Sequence, residues 1–253
     1  MEIKEFKKIK LNIYEIKFSN GEIVKLYDDV ILKYNLLFNK NIDSKLYKEI
    51  ISYNNSLDSY YLSLKYINSR LRCEKEIRDY LKKKGFKSNI IDNTINKLID
   101  NKYIDRELYI KSYINDKYSF SLDGPNKIKR ELINLGFKEE EIIKYLDKDY
   151  NDKIIKIINK KVNNNKKLNE FNLKNNLTRY LINLGYSKDM FIDYINNIKV
   201  DNSLVIKKDI DKLKKKYEKK YNGRELYYFI KNKLYQKGYR EDEIGEVLDE
   251  NIL

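Results

Sequence analysis

Apolar residues recur along this chain in a fixed frame around four glycines, Gly85, Gly136, Gly185 and Gly238. Eight residues before each stands Ile77, Ile128, Leu177 or Ile230, and four before it Leu81, Leu132, Leu181 or Leu234. A ring follows directly in each case: Phe86, Phe137, Tyr186, Tyr239. Six residues past the glycine are Ile91, Ile142, Phe191 and Ile244, and ten past it are Ile95, Leu146, Ile195 and Leu248. The glycines lie about 50 residues apart, at the upper edge of the periods that mark stacked supersecondary units. Offsets of four define a helix stripe, and the glycine falls where a left-handed C-terminal cap belongs, with the ring folding back onto the last turn. A second helix starts behind Ser88, Glu139, Ser187 or Glu241, residue types that cap or complement a positive helix end. The stretches before the next frame, such as Asp105 to Tyr118 and Ser203 to Tyr221, are long enough for a third helix.

The predicted fold is mainly α: tandem three-helix repeats forming an elongated curved array, with a small N-terminal β-hairpin and helix region. The frame divides the chain into an N-terminal region, 1–55, a first repeat with its lead-in helix, 56–121, a second, 122–168, a third, 169–222, and a fourth, truncated repeat, 223–253. In the N-terminal region, Ile9 to Phe18 alternate apolar and polar with a phase slip near Tyr14, and Glu22 to Tyr27 resume after Asn20-Gly21. Asn-Gly between such runs predicts a hairpin in which both turn residues take positive φ. Two helical stretches follow, opened by Asp28-Asp29 and by Asp43-Ser44, and a separate helix from about Ser56 to Asn68 leads into the array. An isolated ribbon is marginally stable, so this one packs on those helices or on a partner.

Of the 253 residues 42% are hydrophobic and 36% charged, and 53 Lys and Arg against 39 Asp and Glu give a formal charge of +14. An anionic polymer or an acidic protein face is the partner such a balance favours. The single Cys73 has no internal disulfide partner, nothing at the start resembles a secretory signal, and no run approaches a membrane span, so a cytoplasmic protein that avoids membranes is expected.

Candidate chemistry is sparse. The sequence has no histidine, which removes imidazole-based triads and His-ligated zinc sites. It has neither a phosphate-binding glycine loop ending in Lys-Ser/Thr nor a dinucleotide fingerprint. Asp147, Asp149 and Asp152 are candidates for Mg²⁺ in a nuclease, but an alternating acidic run between helices reads first as loop and caps. No enzyme, cofactor or metal is expected. Most tyrosines, such as Tyr80, Tyr145, Tyr180 and Tyr194, lie near the helix stripes and read as core edges.

Three basic clusters stand out. Lys82, Lys83 and Lys84 close the first helix of the first repeat; Lys127, Lys129 and Arg130 occupy the same helix of the second, which suggests repetition on equivalent surfaces. In the third cluster Ile206, Ile210, Leu213, Tyr217 and Tyr221 form an apolar stripe, while Lys207, Lys208, Lys212, Lys214, Lys215, Lys216, Lys219 and Lys220 occupy the rest of the helix, interrupted by Asp209, Asp211 and Glu218. Phosphate contact by such lysines gives sequence-independent, salt-sensitive binding.

From Arg70 to Leu132 the motifs Arg70-x-Arg72-Cys73-x-x-Glu76-Ile77, Leu81, Gly85-Phe86, Tyr103-Ile104-Asp105 with Tyr109, and Gly124-Pro125 with Ile128, Glu131, Leu132 and Gly136 resemble the RecX regulatory proteins of bacteria. The resemblance is clearest over about 60–150 and reaches more weakly to the C-terminus. It departs at Cys73, where a Ser or Thr cap is usual, at Lys102, where glycine is common, and at Arg106, where a second aspartate is usual. The resemblance implies a monomeric, non-enzymatic regulator of homologous recombination and of the SOS response. Such a protein lies along the RecA filament on single-stranded DNA and damps its ATP hydrolysis, strand exchange and coprotease activity. Arg70, Arg72 and the three lysine clusters are then the candidate filament and DNA contacts, on a concave face and on the lysine-rich helix. The alternatives are a RecA-independent protein that binds single-stranded or duplex DNA without sequence preference, and a metal-dependent nuclease.

Overall fold

The computed structural model describes residues 1–10 and 12–248. Leu11, within the expected first strand, and residues 249–253, within the expected fourth repeat, lie outside the described residues. The chain opens with an antiparallel three-stranded sheet, β1 Ile3–Lys10, β2 Ile13–Phe18 and β3 Ile23–Tyr27, in that order across the sheet. The run from Ile9 to Phe18 is thus two strands, with Lys10 paired to Ile13, and the phase slip of the sequence pattern is the change of strand. β1 carries four lysines and little apolar material, the composition of a protected edge, and only Ile3 is buried along it. The turn between β2 and β3 also differs from expectation. Gly21 has φ +84 and Asn20 is not in the left-handed region. The Gly21 N–H donates to the Phe18 carbonyl at 3.0 Å and the Phe18 N–H to the Glu22 carbonyl at 2.9 Å. This is the three-residue loop with a glycine bulge, in which a single residue needs positive φ.

Helix α1, Asp28–Lys33, follows, and α2 runs unbroken from Ser44 to Ile67. The separate helix expected from Ser56 and the boundary drawn near residue 55 therefore fall inside α2. Asp43 caps it, accepting from the Leu46 N–H at 2.7 Å. The sheet packs on these helices: Ile3, Ile16, Phe18, Leu26, Val30, Ile31, Leu36, Ile42, Ile50 and Leu57 form one buried cluster. Four phenols rivet its rim, Tyr27 to Asp58 at 2.9 Å, Tyr61 to Asp29 at 2.9 Å, Tyr34 to Glu49 at 3.0 Å, and Tyr47 to Glu22. Burial and then these carboxylates push Tyr34, Tyr47 and Tyr61 up to about 12.

Among the described residues eleven further α-helices follow: α3 Glu74–Lys83, α4 Ser88–Asp100, α5 Arg106–Phe120, α6 Pro125–Asn134, α7 Glu139–Leu146, α8 Asn151–Asn163, α9 Glu170–Leu184, α10 Ile192–Asn196, α11 Ser203–Tyr217, α12 Gly223–Gln236 and α13 Glu241–Gly245. By its contacts the chain forms two compact units, Met1–Lys111 with Leu135–Phe137, and Ser112–Asn134 with the chain from Lys138 onward. The first unit holds the sheet cluster and a second core of Tyr60, Ile77, Leu81, Ile91, Ile95, Leu98 and Ile104. The second unit has one core around Ile154, Leu177, Leu181, Phe191 and Ile195, and another around Ile206, Ile210, Ile230, Leu234 and Ile244.

All four frame glycines are left-handed, with φ between +86 and +95. After three of them the ring residue's N–H donates back to the carbonyl of Leu81, Leu181 or Leu234, at 3.1–3.2 Å, which closes the last turn of the helix. The rings share a core with that turn, Phe86 with Leu81, Tyr186 with Leu181 and Tyr239 with Leu234, and three of the four also reach further. Phe137 stacks on Tyr109 of α5 with centroids 5.4 Å apart, Tyr186 meets Tyr150 edge-on at 5.8 Å, and the Tyr239 hydroxyl donates to Asp209 of α11 at 3.0 Å. Each docks on the preceding repeat. Phe86, which has no repeat before it, is only half-buried.

The start of a repeat is tied to the next repeat's glycine turn in the same way. The Gly124 N–H donates to the Leu184 carbonyl at 2.6 Å, the Asn169 amide to the Lys237 carbonyl at 2.9 Å, and the Cys73 thiol lies 4.0 Å from the Leu135 carbonyl. Each acceptor is the residue before a frame glycine. The second helix of the third repeat is shorter than expected: a 3-10 turn, Lys188–Met190, precedes α10, because Phe191 is fully buried with φ −139 and leaves the helical region.

Candidate anion-binding interface

Helix α11 places its apolar stripe inward as its periodicity requires. Ile206, Ile210 and Leu213 are buried against Leu226, Ile230 and Leu234 of α12. Tyr217, the last residue of α11, and Tyr221 beyond it continue the stripe and close on Phe229, each with centroids 4.6 Å from it. With that face occupied, the lysines have only solvent to occupy. Lys207, Lys208, Lys212, Lys215, Lys216, Lys219 and Lys220 are exposed, and among the described residues none of the seven has an ion pair. Lys214 is half-buried and engaged within the fold. Lys216 and Lys220 lie 5.3 and 5.2 Å from the rings of Tyr217 and Tyr221. Of the three acids in the run, Asp209 is turned away, paired with Lys237 at 2.8 Å and accepting from the Tyr239 hydroxyl. Asp211 and Glu218 are exposed. The outcome is a cationic face edged by aromatic rings, the composition that tracks a phosphate backbone.

The other candidates are placed differently. Arg70 and Arg72 converge on Glu76, at 2.5 and 3.6 Å, and the Arg72 guanidinium covers the Tyr66 ring at 3.8 Å, which stacks in turn on Tyr80. Burial raises the Glu76 carboxyl, but the Cys73 N–H at 3.0 Å, Arg70 and the Tyr109 hydroxyl at 3.1 Å outweigh it and hold the group below its ordinary value. Glu76 secures the N–H of the N-cap residue Cys73 in the manner of a capping box at the start of α3. Lys82, Lys83 and Lys84 are exposed at the C-terminal end of α3, where they complement the negative helix end. Lys127 lies at the start of its helix and Lys129 at its middle, so the two clusters do not repeat one surface. Both are half-buried, Lys127 on Asp123 at 2.5 Å and Lys129 on Glu139 at 2.8 Å. Arg130 is exposed.

Lys102 and Arg106 are accounted for as well. Lys102 holds φ +59 at the end of α4, a glycine's conformation borne by a lysine. Arg106 donates to the Gly136 carbonyl at 3.2 Å and lies over Phe137 at 4.7 Å, so a cation meets the C-terminal end of α6 where an acid would not. Asp149 accepts from the Asn151 N–H at 2.8 Å at the start of α8. Among the described residues Asp147, Asp149 and Asp152 do not gather into a metal-ligand group. No helix among them is long and apolar enough to cross a membrane.

A second cationic surface is absent from the sequence expectations. Lys153, Lys156, Lys160 and Lys161 line one side of α8 in the second unit. Their spacing of three, four and one is a helical stripe, and it was legible beside Ile154, Ile157 and Ile158. It is less dense than the α11 run, and the rings that complete it, Tyr118 and Tyr180, are remote in sequence.

Comparison with known proteins follows the same residues. The family model "RecX, first three-helix domain" matches residues 60–98, the end of α2 with α3 and α4. A Regulatory protein RecX of Streptococcus pneumoniae serotype 19F is 30% identical over 255 residues, covering 96% of this chain and 97% of that protein. The chain belongs to the RecX family. The RecX of Streptococcus uberis is 28% identical over 257 residues and covers 99% of each chain, whereas that of a Geobacillus is 34% identical over 129 residues, about half of each. A crystal structure of a regulatory protein RecX shares the fold, with a TM-score of 0.62 at 19% identity over 78% of this chain and 99% of its own. The RecX of Lactobacillus salivarius gives 0.50 at 29% identity over 56% and 94%.

Proposed function

We propose that this chain is a non-enzymatic regulator of homologous recombination and of the SOS response. It binds the RecA filament assembled on single-stranded DNA and holds down that filament's ATP hydrolysis, strand exchange and coprotease activity. End-to-end similarity to regulatory RecX proteins supports the regulatory role, and the observation that carries the mode of action is the α11 face, seven exposed lysines without an ion pair among the described residues. Such a face acts by occupancy. It needs no reacting group, only an anionic surface long enough to meet several ammonium groups at once.

On this reading Lys207, Lys208, Lys212, Lys215, Lys216, Lys219 and Lys220 make the principal phosphate contacts, with Lys82, Lys83, Lys84 and Arg130 as further exposed cations. Arg70, Arg72, Lys127 and Lys129, already engaged by carboxylates, hold the repeats in shape instead. The chain works as a monomer in the cytoplasm. Preference for RecA over bare DNA comes from shape and polar complementarity outside the lysine face. Side-by-side titration of the protein onto RecA-coated and bare single strands at equal nucleotide concentration tests this. Tighter binding to the coated strand is expected; equal affinity for both would identify a RecA-independent DNA-binding protein.

A further inference from the structure

In the second unit a groove of about 720 Å³ lies beside α8, between the end of α5 and α9. Its basic side is Lys153, Lys156, Lys160 and Lys161; its apolar side includes Leu122, Ile157 and the rings of Tyr118 and Tyr180. Asp152 is the one carboxylate along it. None of the four lysines has an ion pair among the described residues. Lys153 is the most telling. Its half-buried ammonium donates only to backbone carbonyls, to Ser121 at 3.2 Å and to Tyr118, with the Tyr118 ring 4.5 Å away. Burial holds its pKa below the ordinary lysine value. Asp123 draws it only from a distance, without an ion pair, and a half-buried cation in that position gains most from an anion that enters.

The spacing restricts that anion. From Lys153 to Lys160 the helix rises about 10 Å, the reach of a short chain of linked phosphates rather than of one. The groove has the size of a small-molecule site, and its apolar half offers a flat aromatic group the side of Tyr180, whose ring Lys161 overhangs at 4.4 Å, together with half-exposed Leu122. We propose that this groove binds a free nucleoside triphosphate, its phosphates on Lys153, Lys156 and Lys160 and its base against Leu122 and Tyr180. The site is separate in sequence and in chemistry from the α11 face, and it does not depend on RecA being the partner.

Calorimetric titration of the full chain with ATP, tripolyphosphate and adenosine, without RecA or DNA, tests the proposal. The expected result is saturable one-to-one binding of ATP, weaker binding of tripolyphosphate and none of adenosine. Lys156→Glu with Lys160→Glu, both at exposed positions, is expected to weaken ATP by about tenfold or more, and a Lys→Gln pair at the same positions by less. Charge reversal of Lys215, Lys216 and Lys219 on α11 is expected to leave ATP binding unchanged. No binding of ATP at millimolar concentration overturns the proposal. So does tripolyphosphate binding as tightly as ATP, or equal loss from the α8 and α11 variants. A thymidine oligonucleotide that loses affinity in the α8 variant while ATP does not bind would place a strand there and equally overturn it.

Discussion

At the scale of single residues, the departures from the family pattern are informative because each has a local physical consequence. Lys102 occupies the left-handed region at the end of α4, with its N–H donating to the Ile99 carbonyl at 2.8 Å. A side chain there is strained by about 1 kcal/mol relative to glycine. Lys102→Gly is therefore expected to raise stability by about that amount, measured by urea denaturation, and a loss would contradict the strain. The phenols on the N-terminal rim make a second prediction. The fold favours their protonated form, so their contribution is full below the ordinary phenol value near 10 and is lost as the pH rises through the folded value of about 12. Alkaline titration followed by tyrosinate absorbance and circular dichroism should show the sheet region loosening between those values. Replacing Tyr34, Tyr47 and Tyr61 together with Phe should reduce that pH dependence, leaving the part that belongs to Tyr27. What the sequence could not disclose at this scale was partnership: nothing near Arg70 or Arg72 in the chain indicates that Tyr66 and Tyr109 complete a site around Glu76, since two of those contacts depend on helices brought together only by folding.

At the scale of elements, the glycine frame was legible because it is local. A four-residue apolar offset, a left-handed cap and a following ring are all written within twenty residues, and all four copies form the first helix and its left-handed glycine turn. Strand β1 was hidden because its apolar residues are too few to alternate visibly, and α2 was divided because polar Asn54, Asn55 and Ser56 resemble a break while Ser59 and Ser63 turn their hydroxyls to the backbone carbonyls of Ser56 and Ser59 within the helix. The direction of the rings was not legible either. Phe137, Tyr186 and Tyr239 also reach the preceding repeat, so the glycine turns contribute to the coupling between repeats. Gly124 and Gly185 touch there: a Cβ on Gly124 would come within 2.7 Å of the Gly185 backbone. Gly124→Ala is expected to cost about 1–3 kcal/mol, the range for overpacking against atoms that cannot move aside. Thermal unfolding measures it, and a stability within a few tenths of the parent would show that this turn is not a tight joint.

At the scale of the whole molecule, the formal charge of +14 divides into cations that hold the fold and cations that do not. Lys117, Lys127, Lys129, Lys174 and Lys237 are paired with carboxylates, while among the described residues the exposed lysines of α11 and Lys156, Lys160 and Lys161 of α8 carry no ion pair. Composition announced the excess, and only the structure sorted it. If α11 contacts phosphates, reversing the exposed Lys215, Lys216, Lys219 and Lys220 together should weaken filament binding and flatten its salt dependence, by about 0.7 in the logarithmic slope for each lost contact to a single strand. Unchanged affinity across salt would remove α11 from the interface. The most direct measurement is the rate of DNA-stimulated ATP hydrolysis by RecA as this protein is added at nanomolar to micromolar concentration. The account predicts suppression by the parent chain and little or none by the α11 variant; hydrolysis that continues at its initial rate with the folded parent chain present would contradict it.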